Sequence, residues 1–157
     1  MNNASTPSDP LVLYGQTFQS RLLLGTARYP SPATMEAAVR RARPAMVTAS
    51  LRRQQVADSN AGNSFWELLR QFDVPVLPNT AGCHSVQEAI TTAHMAREVF
   101  ATPWIKLELI GDDYTLQPDT LNLVDVAGRL IKDGFKVLPY CTEDLVLCQR
   151  LVDVGCQ

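Results

Sequence analysis

The segment WIKLELIG, residues 104–111, is an apolar run of strand length that contains a lysine and a glutamate. Successive side chains of a β-strand point to opposite faces, so one face of this segment is aliphatic and the other carries Lys106 and Glu108. Charged groups are costly to bury unless they are paired or have a function. The segment therefore has two interpretations: a desolvated lysine amine that forms a Schiff base with a carbonyl, or an ordinary ion pair on a solvated strand face.

Similar apolar runs occur along most of the chain and alternate with helical patterns. Their first residues are 24, 28, 30 and 32 positions apart, a spacing typical of successive βα units with a parallel sheet. A further segment, VLYGQTF (12–18), predicts an extra strand or a hairpin arm before them. The five runs are LLLGT (22–26), MVTASL (46–51), VPVLPNT (74–80), WIKLELIG (104–111) and KVLPYCT (136–142).

Cap residues predict where the intervening helices begin and end. Ser31, followed by a proline, is typical of a helix N-terminus. The segments Ser64–Glu67 and Ser85–Glu88 have the form of a capping box, in which a serine and a glutamate satisfy the first backbone N–H groups of a helix. Gly134 and Gly155 follow apolar stripes of helical period and predict the ends of the last two helices.

The charged pair decides between the two parallel α/β architectures. In an open doubly wound sheet, helices cover both faces, and both faces of WIKLELIG would be apolar. The lumen of a (β/α)₈ TIM barrel tolerates a catalytic lysine and glutamate, and active sites of such barrels lie at the carboxyl ends of the strands. We therefore predict an α/β fold of the (β/α)₈ TIM-barrel family.

Length and composition bound the chain further. Its 157 residues, 46% of them hydrophobic, suffice for one globular domain with a core. A closed barrel typically needs about 250 residues, so we expect residues 11–157 to be the N-terminal portion of a longer barrel, about its first five βα units. The polar residues 1–10 predict a disordered tail. Because five strands cannot close an eight-stranded barrel, we expect the chain as it stands to be inactive by itself.

Charge and hydropathy argue against several partners and compartments. The formal charge of -2 and the pI of about 5.6 disfavour nucleic acid or an anionic membrane surface. No run approaches the ~20 apolar residues of a membrane span, and the N-terminus lacks the order of a secretory signal, so we expect a cytoplasmic protein. The four cysteines and two histidines have no zinc-like spacing, so we expect reduced thiols, no metal and no cofactor. Cys141, at the end of a predicted strand, is more simply a packing residue than a reactive one.

Six segments taken together carry a family resemblance. They are LLLGTARY (22–29), MVTASLRR (46–53), VLPNTAGC (76–83), WIKLELIGD (104–112), DGFKVLPYCTED (133–144) and LVDVGC (151–156). With these segments the chain resembles the bacterial thiazole synthases, barrel enzymes that build the thiazole ring of thiamine. The resemblance runs from about residue 11 to the C-terminus and covers only the front part of the family's length.

The resemblance implies a reaction, two catalytic residues and a partner. Enzymes of this family condense 1-deoxy-D-xylulose 5-phosphate with dehydroglycine and sulfur, which arrives as the C-terminal thiocarboxylate of a small sulfur carrier protein. The family's Schiff-base lysine falls on Lys106, and its acid–base glutamate falls on Glu108. Its phosphate-binding loops and a further catalytic aspartate belong to its second half, to which no residue here corresponds. We also expect a homo-oligomer.

One position departs from the family pattern. The first strand of the family usually ends Gly-Thr-Gly, whereas here the sequence is Gly25-Thr26-Ala27. If the third position requires a positive φ, Ala27 is strained, and otherwise the change is silent.

Other residues are weaker candidates for the substrate pocket. Asn79 and Thr80 end a predicted strand, where they could hydrogen-bond substrate or could serve the turn and helix cap that follow. Tyr140 lies near the end of the fifth strand and is either a pocket residue or a core tyrosine with a satisfied hydroxyl. Arg52 and Arg53 could meet a phosphate, although surface salt bridges explain such pairs more often.

Two further functions remain open at this point. A Schiff-base aldolase-like barrel would use the same lysine on another sugar phosphate and would not depend on a thiocarboxylated carrier. A non-catalytic half-barrel would bind a carrier protein or another barrel half without forming an imine.

Overall fold

The computed structural model describes residues 9–51 and 59–157, the side chains of residues 59–64 excepted. Most of the predicted tail, residues 1–8, lies outside the described residues, and so do Arg52 and Arg53. No helix within the described ranges has both the length and the apolar character that crossing a bilayer requires.

A short β-hairpin precedes the main sheet. Strand β1 (Leu11–Leu13) pairs antiparallel with strand β2 (Gln16–Phe18), which confirms the predicted hairpin arm. The two connecting residues, Tyr14 and Gly15, have φ of 48° and 71°. A two-residue hairpin loop with two positive φ angles matches the right-handed twist of its strands, and glycine adopts such an angle without strain.

Five parallel strands form the main sheet, and helices follow them along the chain. The strands lie side by side in chain order, from the third to the seventh strand of the chain. This sequential order is that of consecutive units in a (β/α)₈ barrel, whereas doubly wound sheets reverse direction at a switch point. The strands are β3 (Leu23–Gly25), β4 (Met46–Ser50), β5 (Val76–Asn79), β6 (Trp104–Leu107) and β7 (Lys136–Pro139). The helices are α1 (Pro32–Ala42), α2 (Ser59–Gln71), α3 (Val86–Phe100), α4 (Thr120–Lys132) and α5 (Leu145–Asp153).

Most of the predicted helix ends are confirmed. The hydroxyl of Ser31 accepts from the backbone N–H of Thr34, and that of Ser85 accepts from the N–H of Glu88, each at 3.2 Å. Gly134 and Gly155 follow the last turns of α4 and α5 with φ of 83° and 104°, the left-handed geometry that ends a helix.

The predicted start of one helix is wrong. The pattern Ser64–Glu67 predicted an N-terminus there, but α2 begins at Ser59 and runs through those residues. A serine three residues before a glutamate fits the interior of a helix as well as its first turn, so the pattern alone does not locate the end.

The two faces of the sheet differ in chemistry. One face packs against α3, α4 and α5 through fully buried aliphatic side chains, among them Ile105, Leu107 and Val137. The opposite face is apolar only near the amino ends of the strands, where Trp104 lies against Phe18 of the hairpin. The carboxyl ends of the strands on that same face are left for polar side chains, and the candidate site lies there.

Candidate active site

Lys106 and Glu108 form an ion pair at the carboxyl end of β6. Lys106 Nζ lies 3.0 Å from Glu108 Oε1, and the two side chains are 39% and 15% exposed, respectively. Both point away from the aliphatic face that packs against the helices, as the strand alternation predicted. The ammonium group can donate to the carboxylate at this distance, so a proton can pass directly between the two side chains.

The pair lies at the wall of a cavity of about 280 Å³ at the carboxyl ends of four neighbouring strands. Most of its other lining residues are small, which leaves room beside the amine for a compact substrate. The lining residues are Gly25, Thr26, Ala27, Thr48, Ala49, Ser50, Asn79, Ala81, Lys106 and Glu108. The sequence analysis had not singled out the residues from β4, because short side chains at a strand end carry no distinctive pattern.

A larger cavity, of about 640 Å³, adjoins the first and shares Thr26 and Ala27 with it. Its described lining is the turn at residues 26–32 together with Met35 and Phe65, and it includes neither an amine nor a carboxylate. Carbonyl chemistry needs both a nucleophile and a proton acceptor, so we assign the reacting centre to the smaller cavity.

Asn79 is placed both in the cavity and in the turn that follows β5. It is the direct register partner of Lys106 on the neighbouring strand, and it lines the cavity. Its Oδ1 accepts from the backbone N–H of Ala81 at 3.2 Å, which is the turn contact considered for an asparagine at this position.

Thr80 is fully buried and does not line the cavity. Its hydroxyl lies 2.7 Å from both the backbone N–H and the carbonyl of Glu108, accepting from the first and donating to the second. The structure therefore connects Thr80 to the backbone of Glu108, a contact that the sequence did not predict.

Tyr140 reaches the ion pair with its ring. Lys106 Nζ lies 5.7 Å from the centroid of the Tyr140 ring, within the range of a cation–π contact. The tyrosine hydroxyl donates to the carbonyl of Leu116 at 3.2 Å, which holds the loop after β6 against the end of β7.

Ala27 does not carry a positive φ. The left-handed position of this turn is the next residue, Arg28, with φ of 66°. The replacement of the family's glycine by Ala27 therefore introduces no backbone strain at that position.

The four cysteines are free thiols. Burial raises the pKa of Cys141, and its contact with Cys148 adds to that effect. Burial also raises the pKa of Cys156 to about 11. Because the thiolate is the nucleophile, both groups are less reactive near neutral pH than an ordinary cysteine, and packing accounts for them.

The two histidines have partners away from the cavity. His84 Nε2 lies 3.3 Å from Asp113 on the exposed surface. His94 Nε2 lies 3.0 Å from Asp133 and its Nδ1 lies 2.9 Å from Arg97, so this histidine connects α3 to the end of α4.

Comparisons with known proteins agree with this arrangement. The family model described as thiazole biosynthesis protein ThiG matches residues 12–157. The chain is 82% identical over 149 residues to the thiazole synthase of Paracidovorax citrulli, covering 95% of this chain and 55% of the relative. It is 78% identical over 157 residues to that of Variovorax paradoxus, covering 99% of this chain and 58% of the relative. The chain thus spans about half the length of the curated relatives it matches.

A solved structure has the same fold. The crystal structure of the Amycolatopsis orientalis BexX/CysO complex superposes with a TM-score of 0.76 at 22% sequence identity, covering 93% of this chain and 59% of the solved one. At this identity the likeness concerns the fold. Together with the match of the family model to nearly the whole sequence, it leads to one conclusion: the chain belongs to the thiazole biosynthesis protein ThiG family.

Proposed function

We propose that the whole protein is a thiazole synthase in which Lys106 forms a Schiff base and Glu108 transfers protons. The observation that carries the proposal is the 3.0 Å contact between Lys106 Nζ and Glu108 Oε1 beside a cavity at the strand ends. Membership of the family and the names of its relatives support the same activity. The substrates proposed are 1-deoxy-D-xylulose 5-phosphate and dehydroglycine, with sulfur from the C-terminal thiocarboxylate of a small sulfur carrier protein.

The ion pair suggests how the imine is made. An ammonium group has no lone pair, so Lys106 must first give a proton to Glu108, the carboxylate at 3.0 Å. The neutral amine then forms a bond to the ketone carbon of the pentulose phosphate. Glu108 returns the proton to the former ketone oxygen, which leaves as water when the C=N bond forms. The same carboxylate is placed to remove a proton from the carbon next to the imine.

We further propose that the five strands are part of a closed (β/α)₈ barrel. The sequential strand order supports this, because β3 and β7 are then the two edges at which further βα units pair. Closure of the barrel would surround the amine with lumen walls and exclude water from the imine.

Borohydride trapping tests the function. This chain spans only part of its relatives, so the test uses a chimera in which it replaces the matching part of the Variovorax paradoxus enzyme. Incubation with 1-deoxy-D-xylulose 5-phosphate and borohydride should leave a reduced adduct on Lys106, identified by peptide mass spectrometry. Lys132 and Lys136, the other two lysines that this sequence contributes, are internal controls. An adduct on either of them, or none on Lys106 in a chimera that makes thiazole, would reject the assignment.

A dependence on the carrier separates this function from an aldolase-like one. The chimera should form thiazole phosphate only when dehydroglycine and thiocarboxylated carrier are both supplied. Cleavage or condensation of a sugar phosphate without the carrier would favour the aldolase-like alternative.

A further inference from the structure

The regular pairing of β5 with β6 ends just before the catalytic carboxylate. Asn79 opposite Lys106 is the register pair of this ladder, and the backbone N–H of Thr80 then donates to the carbonyl of Lys106 at 3.2 Å. On β6 the next backbone groups that face β5 belong to Glu108. In a continuing ladder, a peptide group of the neighbouring strand would meet them.

The side chain of Thr80 takes the place of that peptide group. Its Oγ1 accepts from the N–H of Glu108 and donates to the carbonyl of the same residue, both at 2.7 Å. A hydroxyl can do both because it has one donor hydrogen and two acceptor lone pairs. Beyond it, the N–H of Cys83 donates to the carbonyl of Thr80, and the N–H of Ile110 donates to the carbonyl of Cys83.

These contacts fix the backbone from which the Glu108 side chain projects. Thr80 has no exposed surface and is absent from the cavity lining, so it has no route to the substrate. We infer that Thr80 is a positioning residue, which holds the Glu108 carboxylate within reach of the Lys106 amine. This inference rests on the proposed function for its effect on turnover, but its effect on the ion pair can be measured without it.

The chain offers a matched control at the other end of the same two strands. Thr102 is 9% exposed, and its Oγ1 donates to the carbonyl of Val76 and accepts from the N–H of Trp104, at 3.4 and 3.3 Å. Replacing either threonine by valine removes a buried hydroxyl that bonds to the β5 and β6 backbone. Only Thr80 is next to the catalytic pair.

The first test measures position. In a crystal structure of the Thr80→Val chimera, the separation of Lys106 Nζ from Glu108 Oε1 should exceed the ~4 Å limit of an ion pair. In Thr102→Val the 3.0 Å contact of the native chain should be retained. If the contact also persists in Thr80→Val, the inference is wrong, whatever the outcome of borohydride trapping.

The second test measures turnover. Thr80→Val should lower kcat by roughly 10- to 100-fold, part of the 10²–10⁴-fold that a general acid–base contributes. KM should stay within about two-fold, because Thr80 does not touch the cavity. Thr80→Ser, which keeps the hydroxyl, should recover most of kcat, and Thr102→Val should match the unmodified chimera.

If Thr80→Val does not fold, Thr80→Ala compared with Thr80→Ser isolates the hydroxyl, since both lack the methyl group. Equal kcat in Ala and Ser variants would overturn the positioning role. Failure of the proposed function looks different: the unmodified chimera would then leave Lys106 without an adduct, while the structural comparison of the variants would still decide the inference.

Discussion

The two ends of the β6 strand differ although they lie on the same face of the same sheet. At the amino end, Trp104 packs edge-on against Tyr14 and Phe18 of the hairpin, with ring centroids 5.7 and 5.9 Å away. At the carboxyl end, two residues along the same face, Lys106 forms its ion pair with Glu108 beside the cavity. The aromatic end stabilises the sheet, and the polar end is left for chemistry. This division matches the general separation of stability and catalysis in barrels of parallel strands.

The largest expected effect breaks the polar end alone. Lys106→Ala in the chimera should abolish the borohydride adduct and reduce thiazole formation on the order of 10³-fold or more, because the nucleophile is gone. Lys136→Ala is the matched control, since Lys136 lies over the ring of Trp104 at the aromatic end, 4.7 Å from its centroid. Its turnover should equal that of the unmodified chimera. Comparable losses in both variants would contradict the assignment of chemistry to one end.

A smaller loss of turnover is expected at the carboxylate. Glu108→Gln keeps the shape of the side chain but removes its ability to accept a proton. Imine trapping on Lys106 should persist, while kcat falls roughly 10²–10⁴-fold, the usual contribution of a general acid–base. Single-turnover measurements of imine formation and of product release separate the two steps. A variant that turns over at the original rate would remove Glu108 from the mechanism.

The aromatic end should respond in stability instead. Trp104→Ala leaves a void between the sheet and the hairpin, and truncation of a buried tryptophan costs about 3–5 kcal/mol. Denaturant unfolding of this chain, followed by circular dichroism, measures the loss. The fraction of chimera that remains folded should keep its Lys106 adduct. Loss of the adduct in fully folded Trp104→Ala would show that the two ends are not independent.

The sequence predicted the elements of the fold because their signals are local. Alternation placed Lys106 and Glu108 on one face, and the spacing of the apolar runs predicted five parallel strands that the structure contains. Cap chemistry located the helix ends at Ser31 and Ser85. Each of these features depends on residues only a few positions apart, so one chain read in order is sufficient.

The sequence did not predict features that depend on the register between strands. Thr80 contacts Glu108 across 28 positions of sequence, and Thr26 donates to the carbonyl of Thr48 in the same manner at the end of β3. A threonine at a strand end looks like an ordinary turn residue until the neighbouring strand is in place. The small residues of β4 that line the cavity are of the same kind, since only the fold brings them opposite Lys106.

The smallest expected effect concerns the hydroxyl of Tyr14, which attaches the hairpin to β7. This hydroxyl lies 2.7 Å from the carbonyl and 3.1 Å from the N–H of Val137. Tyr14→Phe leaves those backbone groups without this partner, which should cost about 1–3 kcal/mol in the free energy of unfolding. Denaturant unfolding near pH 7 measures it, with Tyr114→Phe as the control because that side chain is 96% exposed.

The pH dependence of that difference sharpens the comparison. Burial raises the pKa of Tyr14 to about 12 in the folded chain, above the ordinary value of 10.0. A raised pKa means that the folded state favours the neutral hydroxyl, so its contribution is fully present below pH 10 and is lost as the pH rises towards 12. The stability gap between the native chain and Tyr14→Phe should therefore be constant up to about pH 9 and should narrow above pH 10. Buried Cys156, with its pKa raised to about 11, weakens both proteins equally over a similar range and cancels in the difference. A gap that stays constant to pH 12 would mean that the Tyr14 hydroxyl is not held at the amino end of the sheet.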